Sequence, residues 1–215
     1  LGVFGIRGDL IAENFYVWVG YFILALWLAE RLQMSWLVFE TDKVNHRNIE
    51  KFAVLGAVIL VAQDYGSELA RLQLIEQQSY EVFTSAITVL AGIMLWRISA
   101  SMKLVVSGDT SSGSLRLKLL GFLRRIIVGV AIISPLIAAI GYVNAGSAIA
   151  VPMVKTLGLL ALIVILQRLT FDLYAAILNK SEEETDALAP VLIGFIITIS
   201  VLPFLAIIWG ARVSS

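Results

Sequence analysis

The stretch "FYVWVGYFILALWLA", residues 15–29, runs fifteen residues without a charged side chain. A second apolar run begins before Pro152, admits only Lys155, and closes in "ILQRLTFDLY", residues 165–174. Crossing a hydrocarbon core takes about 20 apolar residues per helix, and inside lipid only helices and closed barrels satisfy the backbone. Barrel strands are short and alternate in polarity, whereas these runs are long and continuous, so they predict helices. Composition extends this to the whole chain. It is 59% hydrophobic and 15% charged over 215 residues, with a mean hydropathy of +0.90, against about 45–50% and about 25% in soluble domains. The expected fold is an all-α integral membrane protein of about six transmembrane helices.

Apolar runs set against polar breaks place the spans at about residues 11–39, 49–65, 80–101, 115–142, 149–178 and 188–211. The polar stretch 66–79, the Ser/Gly-rich "KLVVSGDTSSGS", the short "NAGSA" and the acidic "NKSEEETDA" read as connections. In the last of these, Ser181 and Glu184 have the spacing of a capping box ahead of the sixth helix. The chain opens at Leu1 with no signal peptide before its first run, and it is read as a segment of a longer protein.

Charge orients the helices. Six spans place twelve of the 16 Lys and Arg residues on one side, and leave Arg7, Arg71, Lys155 and Arg212 on the other. By the positive-inside rule the richer side is cytoplasmic and both ends of the segment face outward. Arg168 then sits at the cytoplasmic end of the fifth helix, able to snorkel, with Asp172 at i+4 as a local partner.

This ending recurs. "LALWLAERL", "LAGIMLWRI" and "ALIVILQRL" place Arg31, Arg97 and Arg168 at intervals of 66 and 71 residues, and "SPLIAAIGY" and "LPFLAIIWG" place Pro135 and Pro203 68 residues apart. The chain reads as three sequential helical hairpins, 1–78, 79–147 and 148–215. Pro135 and Pro203 are candidate bends in two equivalent helices. Each hairpin returns to its starting side, so successive hairpins are not the inverted copies that many carriers use.

Signatures of chemistry are sparse. There are no cysteines and a single histidine, His46, read as a loop residue beside Lys43 and Arg47. Asp64 is the one acid reaching into a span, with Glu68 a turn away, and is read as a structural contact. "EEETD" lacks the alternating ligands and central Gly of an EF-hand loop, and "SGDTSSGS" lacks the Lys-Ser/Thr ending of a phosphate loop. No cofactor or metal is expected, and no enzyme activity. The zero net charge offers nothing to attract nucleic acid. Arg116, Lys118, Arg124 and Arg125 open the fourth helix and, with Arg31, Arg97, Arg168 and Asp172, are candidate contacts to lipid headgroups, the expected partners. Trp18, Trp27, Trp36, Trp96 and Trp209 read as interfacial anchors.

"LQRLTFDLYAAIL", the acidic connection and "ALAPVLIGFIITISVLPFLAIIWGARVSS", with the hairpin series before them, resemble the accessory transmembrane region of large bacterial mechanosensitive channels of the MscS superfamily. The resemblance is best over residues 156–215 and architectural before that. It implies an inner-membrane homoheptamer in which these helices are peripheral paddles that pass membrane tension to a pore core beyond Ser215. A polytopic carrier or a non-catalytic membrane assembly subunit is the alternative.

Overall fold

A computed structural model describes residues 6–34, 46–108, 115–178 and 188–210, with side chains over 14–31, 49–102, 118–170, 172–173 and 192–210. Six helices and no strand appear among these residues: α1 (Ile6–Met34), α2 (His46–Arg71), α3 (Gln77–Gly108), α4 (Leu115–Ala139), α5 (Val143–Leu178) and α6 (Leu188–Ile208). Four stretches are long and apolar enough to cross a membrane: Ile49–Arg71, Gln77–Met102, Lys118–Ala139 and Val143–Thr170, with a shorter apolar helix at Leu192–Ile208.

Helix bounds differ from those expected at several ends, α1 starting at Ile6 and α3 running on to Gly108, and at α2 and α5 local contacts show why. His46 is the first residue of α2, and α2 continues past Tyr65 to Arg71. Local bonds carry it through the polar stretch: Ser67 Oγ donates to the Asp64 carbonyl at 2.8 Å, and Arg71 Nε to Glu68 at 2.7 Å. The helix stops at Gln73, which adopts φ +53°, while Leu74 N–H reaches back to Leu69 O at 2.9 Å, a Schellman-type closure. "NAGSA" is no loop either, since α5 already begins at Val143. The turn before it is only Ile140–Tyr142, made possible by Gly141 at φ +108° and closed by Tyr142 N–H to Ile137 O at 3.1 Å. The capping-box pair Ser181 and Glu184, the acidic loop and Trp36 lie outside the described residues.

The chain divides within α5 into two compact units, Leu1–Val154 and Lys155–Ser215. In the first, α2 packs on α1 and α3, and α3 on α4. The buried residues of α3 include Thr84, Ile87, Thr88, Ala91, Met94, Leu95 and Ser99, and those of α4 include Ile127, Ala131, Ser134 and Ala138. Both sets follow the three- and four-residue helical spacing and are rich in small side chains. Where lipid tails are as apolar as leucine, such surfaces hold helices together by close packing rather than by hydrophobic burial. Gly146, in the first turn of α5, fits against the Ser134 carbonyl, and a Cβ there would lie 2.6 Å from that oxygen.

The outer faces are inverted relative to a soluble protein. Val82, Leu90, Ile93, Trp96, Leu119 and Ile140 are all exposed, as expected of side chains that meet lipid.

In the second unit α5 and α6 run antiparallel. Near one end Trp209 Nε1 donates to Thr156 Oγ1 at 3.1 Å, and near the other Gln167 Nε2 donates to Thr198 Oγ1 at 2.9 Å. Thr198 Oγ1 in turn donates to the Gly194 carbonyl at 2.8 Å.

A charge-polarised membrane-interface site

The helix registers bring the candidate basic residues together. A Cβ on Gly92 would lie 2.5 Å from Pro135 Cγ, and Arg124 Nε donates to the Ser99 carbonyl at 3.3 Å. Moving seven residues along α3 thus moves eleven back along α4, so the two helices are antiparallel. Arg97 therefore stands within about 3 Å of Arg124 along the helix axes, and Lys118 about 9 Å further out, at 1.5 Å per residue.

Arg124 is part-buried and held by its bond to Ser99, whereas Arg97, Lys118 and Arg125 are exposed. That bond uses the guanidinium nitrogen nearest the chain and does not engage the two terminal nitrogens. A guanidinium fork suits a phosphate oxygen pair, and an exposed lysine adds a point charge.

The same logic runs across the whole first unit. Trp18 and Tyr65 stack edge to face at 5.5 Å, and Tyr21 hydrogen-bonds to Asp64, so α1 and α2 are antiparallel as well. The end that holds Arg97 also gathers Arg31, Lys51, Lys118, Arg124 and Arg125 against Glu30 and Glu50. The opposite end holds Asp64, Glu68, Glu76 and Glu81 against Arg71, which is committed to Glu68. Among the described side chains one end of this unit is thus basic and the other acidic. The basic end suits an anionic headgroup layer.

The remaining sequence candidates are placed as follows. Arg116 belongs to α4, but its side chain lies outside the described residues. Arg168 and Asp172 form an ion pair at 3.8 Å in the second unit, with Asp172 half exposed; exposed pairs contribute roughly 0–1 kcal/mol. Pro135 is packed against Gly92 inside α4, and Pro203 is exposed on α6.

Sequence reasoning missed the polar contacts that reach between helices. The partner of Asp64 is Tyr21, which shares one face of α1 with Asn14 and Trp18 at i, i+4, i+7 spacing. That spacing was the available signal. No three His, Cys, Asp or Glu side chains among the described residues come together as a metal site would require.

The chain matches no family profile, no curated protein and no solved structure.

Proposed function

We propose that this chain is a tension-responsive membrane scaffold, a set of paddle helices that couples the state of the bilayer to a pore core carried elsewhere in the assembly. In this reading α1 and α6 join the four long apolar stretches as spans, giving six in three hairpins. The basic end lies at the cytoplasmic face of a bacterial inner membrane, both chain ends lie on the periplasmic side, and the paddles surround a homo-oligomeric channel of the MscS superfamily that conducts ions under osmotic stress.

The observation that carries it is the ratio of lipid-facing to helix-facing surface. In three of the four long apolar stretches well under half of the most apolar window is buried against protein, 22% in α2, 22% in α4 and 39% in α5. A helix mostly wrapped in lipid is sensitive to bilayer thickness and lateral pressure, because mismatch is relieved by tilt at a cost of fractions of a kcal/mol per Å. Several such helices, tied by narrow small-residue seams, add these small terms together.

A carrier is the second reading. The observation favouring it is the Tyr21–Asp64 contact inside the α1–α2 pair, since ionisable groups at membrane depth commonly mark transport paths.

The test is patch-clamp recording from liposomes that hold the full native protein. Unitary currents that open under suction below lytic tension support the scaffold reading. Silent patches in which labelled protein is counted reject it, and saturable uptake of a small solute by the same liposomes would install the carrier.

A further inference from the structure

Two polar atoms in the first unit are buried without a hydrogen-bond partner, Gln63 Oε1 on α2 and Thr84 Oγ1 on α3. Thr84 is 0% exposed. In hydrocarbon a hydroxyl or amide left unpaired is strongly unfavourable, because no solvent reaches it. A threonine in a membrane helix has an easy remedy, the carbonyl four residues back, and Thr88 takes it by donating to Thr84 O at 2.8 Å. Thr84 does not, and its hydroxyl points elsewhere.

The helix register says where. A Cβ on Gly66 would lie 2.5 Å from Phe83, and one on Gly56 would lie 3.8 Å from Met94 Sδ. Ten residues along α2 therefore match eleven back along α3. Gln63, one turn from Gly66 on the same side of α2, therefore comes level with about Ile87 of α3, roughly 4 Å along the axis from Thr84. The two orphaned atoms thus share one level of the α2–α3 interface. They are also complementary: the hydroxyl can donate and accept, whereas the amide oxygen only accepts.

We propose that the α2–α3 interface holds an internal water, which accepts from Thr84 Oγ1 and donates to Gln63 Oε1. A ligand here must be water-sized and must both accept and donate, and buried waters serve this role for polar groups that the chain itself leaves unpaired. The site lies apart from the basic membrane-interface cluster and does not depend on tension sensing.

The experiment is water-edited solid-state NMR on the full protein in phospholipid nanodiscs with labelled threonine and leucine, where polarisation passes from water to nearby side chains. The Thr84 signal, assigned by its loss in Thr84→Val, is expected to build up early despite its burial, and Gln63→Leu is expected to slow it. Thr84→Ser keeps the hydroxyl, folds by the same rules and retains contact with water at residue 84. In parallel, each of Gln63→Leu and Thr84→Val is expected to raise the unfolding equilibrium constant about tenfold, with the double variant within about threefold of the parent, because one orphan is worse than none. A Thr84 build-up as slow as that of fully buried Leu95 overturns the proposal. A dry site with coupled energies means that Gln63 and Thr84 bond directly, and additive energies mean that they do not interact; either result overturns it too.

Discussion

Gly92 of α3 lies directly against Pro135 of α4, so that a methyl group on Gly92 would stand 2.5 Å from Pro135 Cγ and 2.9 Å from the Ala131 carbonyl oxygen. The two features belong together. Proline has no N–H, so Pro135 leaves the carbonyl four residues before it, that of Ala131, without its helical donor. That oxygen is turned onto Gly92, which has no side chain, so that a Cα–H contact is available. Gly92→Ala is therefore expected to destabilise the protein by about 1–3 kcal/mol through overpacking. Gly129→Ala, where a methyl group meets nothing within 4 Å, should leave stability unchanged or raise it slightly. Unfolding of the purified variants in micelles or bicelles checks both, and equal effects at the two sites would reject the packing argument.

The two prolines that look equivalent in sequence have different surroundings, and this bears on the proposed tension response. Pro135 is wedged between helices, whereas Pro203 is exposed on α6. Replacing Pro135 with Ala restores a helical hydrogen bond to Ala131 and removes the ring from Gly92, altering both the bend and the seam. Under the proposed scaffold function, the double variant Pro135→Ala/Pro203→Ala is expected to shift the tension threshold of the full assembly, with Pro135→Ala supplying most of the shift. Patch recordings from well-expressed single and double variants decide it, and unchanged thresholds would remove the prolines from the mechanism.

What the sequence made legible was whatever depends on one helix at a time. Apolar runs gave the helical class, and the regular placing of Arg31, Arg97 and Arg168 marked where successive apolar runs close. Contacts between helices were not legible. Gln63 and Asp64 looked like the end of α2 because polar residues in an apolar run usually are; the helix continues because Tyr21 takes up Asp64 from α1 and the Ser67–Asp64 and Arg71–Glu68 bonds hold the next turns. "NAGSA" looked like a loop because Asn, Gly and Ser favour turns. It is helical because Gly146 admits the Ser134 carbonyl of a neighbouring helix, a reason that lies some distance away along the chain. The site was partly legible for the same reason: basic residues could be counted from sequence, but the Arg124–Ser99 bond that sets Arg124 level with Arg97 could not.

That bond makes the basic cluster testable. Arg97→Gln, Arg124→Gln and Arg125→Gln should each reduce enrichment of anionic over zwitterionic lipid around the native protein by about fivefold, at roughly 1 kcal/mol per basic residue near the surface. The effect should fade as salt shortens the screening length. Arg124→Lys keeps the charge but loses the guanidinium fork, so it should retain lipid enrichment only partly. Native mass spectrometry of co-purified lipid measures all four, and enrichment indifferent to these changes would confine the cluster to setting topology.

Gln73 ends α2 in the left-handed region at φ +53°, a conformation that Gly141 and Gly210 supply at two other described helix ends. A side chain costs about 1–2 kcal/mol there, and glycine avoids most of that penalty. Gln73 is exposed, so its side chain adds little to set against the strain. Gln73→Gly is expected to stabilise the protein by up to about 1 kcal/mol, seen as a higher unfolding midpoint. A lower midpoint would mean that the side chain holds the turn in a way the backbone bonds do not explain.

Trp209 reads in sequence as an interfacial anchor, yet its indole Nε1 donates to Thr156 Oγ1 at 3.1 Å and joins the end of α6 to α5. If the indole only anchors, Trp209→Phe and Thr156→Val should act independently. If the bond ties the helices, each change removes the same interaction, and the double variant should be less damaging than the two singles combined. Interhelical hydrogen bonds in membranes average about 0.6 kcal/mol by such cycles, with the largest near about 1.7. A coupling energy of that order is expected here, because Thr156 is nearly buried at 8% exposure and its hydroxyl has little water to exchange for the indole. Zero coupling in a double-mutant cycle on the full protein would return Trp209 to the role of a plain anchor and leave Gln167–Thr198 as the polar tie between α5 and α6.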